Sequence, residues 1–543
     1  MPISYVMLAS MRVGIEEFRE LGIGKVCVEQ TGAACYFWRL EPVPMNMKRI
    51  GSLFIAGLLL CLISEVQALG AKKPNILFIL TDDQGWPSLG CYGSKAVPTP
   101  NLDKLASEGI RFTDAYVTPQ CTPTRASLLT GQHTARNGMW HVIPWYGTPW
   151  APVSEPAYVE QLPRETFLLP KALKEAGYAT GQIGKWHLSN SEDGNYVGLN
   201  PEAGPLYGFD YVAPAPEKGG HNKGDKEVDR YTADALRFIG EHKDQPWFLY
   251  LAHHTLHHAL SAPEELVKKH LTQGAPEKGN FNALYLACIE HLDNSIGKLM
   301  AGLEELGEKE NTVVVFLSDN GGIDWSYDVK PVTKGDGVVK QLAVERVEFD
   351  NAPLRAGKGS AYEGGIRVPC IVRWPKVVNG GRVEHTPVHV VDWMPTLCSL
   401  AGAKVPGIHT MDGTDLSPVL RGYKIKPRPL YWYMPLYDLR WGGTPCAVIR
   451  EGDYKLLEFF SDWVDPQGNY IPGQRTLLFN LKEDIGETRN LAASDPERTK
   501  AMREKLLQWI ESVPAEVPGP NEHHDPSKPL KETREKPDFV KSR

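Results

Sequence analysis

Two apolar runs constrain the fold of this chain more than any other feature. Pro74-Asn-Ile-Leu-Phe-Ile-Leu80 and Asn311-Thr-Val-Val-Val-Phe-Leu317 show no polar alternation once they enter their hydrophobic stretch. That is the mark of strands buried on both faces, as in a parallel sheet with helices on each side. Both runs stop abruptly in oxygen-bearing side chains, Thr81-Asp82-Asp83 in the first and Ser318-Asp319-Asn320-Gly321-Gly322 in the second. In open α/β sheets, ligands bind beyond the carboxyl ends of the strands. One Asp-Asp pair at a strand end is most often a turn or a helix cap. Its recurrence at a second strand end favours a ligand site. Asp82, Asp83, Asp319 and Asn320 make a hard-cation set, suited to calcium or magnesium rather than to zinc, which prefers nitrogen and sulfur.

A second centre lies at Cys121-Thr-Pro-Thr-Arg-Ala-Ser-Leu-Leu-Thr-Gly131. Pro123 can open a short helix through Leu129, and Gly131 can end it. The free N–H groups and positive dipole end would then face Cys121, while Arg125 adds a planar fork of donors for an oxyanion. From these residues alone, a buried small cysteine and a surface arginine are an equally good reading.

Further strand ends carry chemistry. Leu168 to Ala176, with Pro170 in its first turn, predicts a helix stopped by Gly177, after which Tyr178 to Gly184 lead into Lys185-Trp186-His187. At strand spacing, Lys185 and His187 share a face. Pro246 to Ala252 predicts another buried strand, ending in His253-His254-Thr255-Leu256-His257-His258. Four histidines in six positions also suit zinc, against which stands the oxygen set already assembled. Arg355-Ala-Gly357-Lys358-Gly359, then Tyr362-Glu-Gly-Gly365, forms a glycine-flanked loop through which a backbone can approach a ligand and a lysine can point; in isolation Lys358 reads as a solvated surface charge.

Cys121-Thr-Pro123-Thr-Arg125 with Leu129-Thr130-Gly131 resembles the signature of the type I sulfatases, with Thr124 where the commoner motif has serine. The resemblance runs over roughly residues 74 to 510. It implies an alkaline-phosphatase-like α/β fold: a large, mixed, mostly parallel sheet sandwiched by helices, with a smaller C-terminal α+β domain carrying an antiparallel sheet. It further implies that a formylglycine-generating maturation enzyme oxidises Cys121, and that Asp82, Asp83, Asp319 and Asn320 bind one calcium ion together with residue 121. Arg125, Lys185, His257 and Lys358 would then hold a sulfate ester, with Asp319 helping to activate the nucleophile. His257 or Lys358 would protonate the leaving alcohol, and His187 would resolve a covalent sulfo-enzyme. Ala259 stands where the family usually has proline after the histidine. Leu478-Phe-Asn-Leu through Glu487, Asn490 and Leu491 resembles the sulfatase C-terminal subdomain. Two rivals are a phosphonate or phosphate ester hydrolase of the same superfamily and an unmodified sulfated-glycan-binding protein.

The chain has 543 residues and a net charge of -7, with a pI near 6.2; it presents no basic field for nucleic acid. Nine cysteines are too few and too scattered for a disulfide scaffold. Residues 1–70 read as a leader, with a signal peptide at 47–70. Met47-Lys48-Arg49 is its basic start, Leu53 to Ile63 its apolar stretch and Val66-Gln67-Ala68 its cleavage site. The expected mature chain begins near Leu69 or Ala71 and is secreted or periplasmic, with translation expected to start at Met47. Eleven apolar residues are short for a membrane span, so an uncleaved anchor is the weaker reading. Residues 71–421 are expected to form the catalytic domain, 421–429 a linker, 430–514 the C-terminal α+β subdomain, and the charged, proline-rich 515–543 a disordered tail. Two long loops, Trp140 to Pro163 with Trp145 and Trp150, and Gly322 to Leu354, are expected to shape substrate access. Their tryptophans suit either sugar stacking or burial. A sulfated carbohydrate is the expected substrate, because no segment supplies the apolar entrance a steroid sulfate needs.

Overall fold

The computed structural model describes residues 72–216, 223–334, 337–346, 349–464, 470–471, 473–528 and 532–540, and, near the N-terminus, 6–8, 11–18 and 23–29. The signal segment at 47–70 lies outside the described residues. Two compact units divide the chain at residue 72. In the first, Val6–Leu8, Met11–Phe18 and Ile23–Glu29 pair antiparallel in that order.

The second unit is built on eight strands: β1 (Asn75–Thr81), β2 (Ile110–Phe112), β3 (Ala179–Gly184), β4 (Tyr211–Val212), β5 (Trp247–Ala252), β6 (Thr312–Ser318), β7 (Cys370–Arg373) and β8 (Arg382–Glu384). Their order across the sheet is β8-β2-β7-β6-β1-β5-β3-β4. The last five are mutually parallel, and β7 runs antiparallel to both its neighbours. Every residue of β1 and β6 is buried. The pleat sends Ile76, Phe78 and Leu80 to a core shared with Leu128, Leu129, Leu169 and Trp393, and sends Leu77 and Ile79 to another shared with Tyr231, Phe238, Ile296 and Leu299. Helices therefore cover both faces: α2 (Cys121–Thr130), α3 (Leu169–Glu175) and α6 (Trp393–Ala401) on one side, and α1 (Pro100–Ser107), α4 (Val228–Glu241) and α5 (Ala283–Glu305) on the other. Two apolar faces leave no room for polar alternation, which is why the runs read as they do.

Register positions the site. Thr81 lies opposite Ser318, Leu80 opposite Ala252, and Ala252 opposite Gly184. Four parallel strands thus end level, and the residues that follow them emerge along one edge.

A second, antiparallel sheet follows, with β9 (Leu430–Met434), β10 (Cys446–Glu451), β11 (Tyr454–Phe459) and β12 (Arg475–Asn480) in sequence order and α7 (Pro496–Glu511) packed on it. Its core continues into Tyr116, Trp140, Tyr158, Tyr362 and Ile366 of the preceding part, so residues 73–543 form one compact unit.

Two expectations are corrected. The stretch 322–354 is not loop throughout: Trp325–Lys334 and Gly337–Arg346 pair antiparallel from Trp325↔Arg346 to Lys334↔Gly337. Gly335-Asp336 between the strands is a two-residue hairpin signal that an apolar-periodicity count passes over. The tail expected to be disordered is held where it is described. Gly519–Pro520 pairs with Val153–Ser154, Tyr146 N donates to Thr533 O and Thr533 N to Gly147 O, and Phe539 stacks on His523. Backbone pairing with a distant loop supplies what the tail's own composition lacks. In the same region Arg534 lies over the Trp145 ring and Lys528 over that of Trp150, which Phe539 meets edge-on; both tryptophans are partly exposed. The six cysteines of the second unit are free thiols.

Candidate active site

Residue 121 opens α2 rather than preceding it. Extended Gln120 is the N-cap and Gly131, at φ 65°, closes the helix with its N–H on Ser127 O. Pro123 falls at the third position, where a missing N–H costs nothing because the first-turn N–H groups have no helical acceptor. All ten helix residues are buried. The Thr124 hydroxyl accepts from Thr118 N at 3.0 Å and pairs with Thr118 Oγ1 at 2.6 Å, stitching the turn before the helix. A serine could serve the same way.

His187 follows β3 with φ 59°, a left-handed conformation uncommon for a non-glycine residue and often found at functional sites. Thr122 Oγ1 donates to His187 O at 3.0 Å and holds it there. His187 Nε2 donates to Ile143 O at 2.8 Å. A carbonyl can only accept, so the proton is on Nε2. Burial, reinforced by the Lys185 charge, holds the imidazole well below its ordinary pKa. The ring is therefore neutral, and its bare Nδ1 lies 3.3 Å from Cys121 Sγ.

The carboxylates emerge from the neighbouring strand ends. Asp82, Asp83, Asp319 and Asn320 are all buried, and Asp83 also sits in the left-handed region, at φ 57°. Arg125, itself wholly buried, donates to Asp319 Oδ2 from Nε at 3.1 Å and from a terminal nitrogen at 2.6 Å, and approaches Asp82 Oδ2 at 3.6 Å. Lys185 Nζ pairs with Asp82. Lys358 Nζ lies 2.7 Å from Asp83 Oδ1. Three carboxylates thus face three fixed cations. Burial opposes ionisation of Asp82, but the charges of Lys185, Arg125 and Lys358 hold its carboxyl well below the usual range. Burial and then the Asp82 charge push Asp319 up to about 7, a sign of negative charge not fully offset.

Two oxygens in this cluster are buried and unpartnered: Asp82 Oδ1 and Asn320 Oδ1. Asn320 spends its amide nitrogen on Asp83 Oδ1 at 2.8 Å, leaving the oxygen as a spare acceptor. Donor atoms of Asp82, Cys121 and Asp319 lie within 4.8 Å of one another, as do those of Asp82, Asp83 and His257. Orphaned oxygens, a raised carboxyl and the oxygen donors of Asp82, Asp83, Asp319 and Asn320 fit a hard dication.

The structure brings Asp82, Asp83, Cys121, Arg125, Lys185, His187, His257, Asp319, Asn320 and Lys358 to one sheet edge. The other histidines of the cluster go elsewhere. His254 Nδ1 meets Tyr231 OH at 3.1 Å, His253 is buried, and His258 is exposed. Sequence reasoning missed residues that arrive from far away. Tyr250 OH lies 3.5 Å from an Arg125 nitrogen. From beyond β9, Asp438 accepts from Gln120 Nε2 while its other oxygen is buried and unpartnered. The Trp441 ring lies 5.8 Å from Lys358 Nζ. Tyr250, inside an apolar strand, and the 436–445 loop carry no local signal of this role.

The family model described as Sulfatase matches residues 74–403, and one described as N-sulphoglucosamine sulphohydrolase, C-terminal, matches residues 357–514. Arylsulfatase A of Homo sapiens is 31% identical over 502 residues, covering 83% of this chain and 90% of that protein. N-acetylgalactosamine-6-sulfatase of Canis lupus familiaris is 30% identical over 498 residues, covering 81% and 86%. The solved structure of Ps i-CgsB in complex with k-i-k-neocarrahexaose is similar at a TM-score of 0.62 and 28% identity, over 81% of this chain and 93% of that one. With a mixed sheet whose level strand ends gather acids and bases around residue 121, and with matches spanning that sheet and the antiparallel one, the chain belongs to the sulfatase family, the sulfuric ester hydrolases of the alkaline phosphatase superfamily.

Proposed function

We propose that this sulfatase removes sulfate from a carbohydrate ester, using a formylglycine made from Cys121 by a maturation enzyme and one calcium ion. The observation that carries the reading is residue 121 itself: it heads a buried helix, 3.3 Å from the bare nitrogen of a neutral histidine, among buried cations. A cysteine in these surroundings is a poor nucleophile, because burial raises its thiol pKa despite Lys185 and Lys358. A hydrated aldehyde there supplies two hydroxyls, one to attack sulfur and one whose deprotonation releases sulfate. Asp82, Asp83, Asp319 and Asn320, with residue 121, would hold calcium, which supplies positive charge for the ester oxygens.

The remaining work belongs to the chain's own side chains. His187 Nδ1 takes a proton from a hydroxyl on residue 121, and its Nε2–H on Ile143 O keeps the ring in that tautomer. Arg125 orients Asp319 beside the nucleophile through two hydrogen bonds. Lys185, His257 and Lys358 hold the sulfate oxygens. Burial opposes the charge of Lys358, but Asp83, Cys121 and Asp82 together outweigh it, so the lysine stays charged. Of Lys358 and His257, the lysine is thus the one that carries a proton for the leaving alcohol.

A carbohydrate ester is supported by the polar site and by the relative named for N-acetylgalactosamine-6-sulfate. Export is supported by the signal-like segment at 47–70, and among the described residues no helix is long and apolar enough to cross a membrane. Mass measurement of the peptide containing residue 121 tests the modification: an unmodified thiol in fully active protein overturns it. Paired aryl sulfate and aryl phosphate diester substrates, with a panel of sulfated sugars and steroid sulfates, test the substrate class. Preference for the phosphate diester, or sulfate release from the steroids alone, refutes it.

A further inference from the structure

Away from the catalytic cluster, three potential metal ligands converge with no role in the chemistry above. Asp225 precedes α4, Asp229 lies in its first turn, and His291 comes from α5. Their donor atoms all lie within 4.8 Å of one another. Asp225 is fixed in place: Oδ1 accepts from Glu227 N at 3.0 Å and Oδ2 from Asp229 N at 2.8 Å. Lys226 and Glu227 between them both adopt left-handed backbone, at φ 57° and 66°, which turns the chain into the helix.

His291 is only 7% exposed, and its Nε2 has no hydrogen-bond partner. That nitrogen lies 3.5 Å from Asp225 Oδ2 and 3.7 Å from Asp229 Oδ2. Neither separation is a proper hydrogen bond for a buried ring nitrogen. Both suit two ligands sharing one ion, since bonds of about 2.0–2.1 Å meeting at a tetrahedral angle put their donors about 3.3–3.4 Å apart. Asp229 is 53% exposed at its side chain, so the place between them is open to solvent on one side. Its other oxygen takes Lys298 Nζ at 2.6 Å, leaving Oδ2 for a ligand role.

We propose that Asp225, Asp229 and His291 form a second metal site, for a divalent transition ion such as zinc, with solvent completing the coordination. One nitrogen and two carboxylate oxygens, with an open position, is a zinc-type set, and it lies apart from the catalytic residues. Its position gives it a consequence. Lys226, held between the two aspartates, donates from Nζ to the carbonyls of His257 and Ala259, each at 2.8 Å. An ion on Asp225 and Asp229 therefore braces the turn that anchors the His257 segment to α5.

The test uses the full chain, saturated with calcium so that the catalytic cluster is occupied, stripped of transition metals and titrated with cobalt(II). One equivalent should bind with visible absorption bands of a low-symmetry nitrogen-oxygen site, and zinc should displace it. His291→Ala and Asp229→Asn should each weaken uptake by more than about tenfold. Asp229→Asn changes a half-exposed side chain and keeps the fold if His291→Ala does not. Zinc should raise the melting temperature of the parent protein and leave that of Asp229→Asn unmoved. No cobalt uptake beyond the calcium-competed site, or bands unchanged in both variants, overturns the proposal.

Discussion

His187 takes its working state from single neighbours: one carbonyl fixes its proton, one lysine and burial keep it neutral, and one hydroxyl holds its backbone. Cys121 depends on the same surroundings. Cys121→Ala should abolish turnover while changing stability by no more than about 1 kcal/mol, because the substitution loses one sulfur contact and keeps a small residue at the helix start. Turnover near that of the parent, in protein free of contaminating sulfatase, would refute the nucleophile assignment. Asp319 supplies a second expectation. Its carboxyl is raised from 3.8 to about 7 in the metal-free protein, by burial first and Asp82 next. A raised folded-state value means that its contribution to stability is complete below pH about 4 and is lost as pH rises through about 7. Calcium takes the ionised form, so its binding at pH about 6 should release protons, and the release should fade above pH about 8. Calorimetry in buffers of different ionisation enthalpy reads this directly. Buffer-independent heats at pH about 6 would count against Asp319 as a ligand.

At the level of strands, helices and loops, glycines govern how closely the site-bearing loops approach. A Cβ on Gly321 would lie 1.7 Å from Gly364 O, and Gly321 N donates to Gly365 O at 2.9 Å. The loop after β6 can touch the loop after Lys358 only without a side chain there. Gly321→Ala should cost about 1–3 kcal/mol and weaken calcium binding by displacing Asn320. Denaturant midpoints and calcium titrations check both effects, and an unchanged calcium affinity would show that Asn320 does not depend on this contact. Element boundaries were readable to within a residue or two. The apolar runs became β1, β5 and β6, and Pro170 and Gly177 bracketed α3. The helix at 121 began two residues earlier than Pro123 suggested, since proline is tolerated throughout the first turn.

Across the whole molecule, a buried charge network joins the two sheets. Lys455 of β11 lies 3.0 Å from Glu363 and 2.9 Å from Glu487, all three wholly buried. Arg367 and Arg450 both reach Asp114, at 3.0 and 2.8 Å. Glu363 also accepts from Tyr116 OH at 2.7 Å. Lys455→Met removes the cation between two buried carboxylates and should destabilise the protein by about 3–5 kcal/mol, read as a lower melting temperature. Stability within about 1 kcal/mol of the parent would mean the network is relieved by protonation. Glu487 was noticed for its place in a family-like segment, but nothing nearby in the chain pointed to Lys455 or Glu363 as its partners.

The features legible in the amino-acid order are those produced by short-range physics. Burial on both faces shows as an unbroken apolar run, a sharp strand end shows as a switch to Asp, Asn, Lys or His, and close loop approach shows as glycine. These were enough to place Asp82, Asp83, Asp319, Asn320, Lys185 and His187 at strand ends, whereas Cys121, Arg125, His257 and Lys358 were singled out by the resemblance to the sulfatase signature. Folding alone settled that Asp438 and Trp441 come back from beyond β9, that Ile143 fixes the tautomer of His187, and that Arg534 and Lys528 of the tail reach Trp145 and Trp150. Each of these is a contact between residues tens to hundreds of positions apart. Its free energy depends on partners that meet only when the sheet register and loop paths are set, so neither partner carries a local trace of the other.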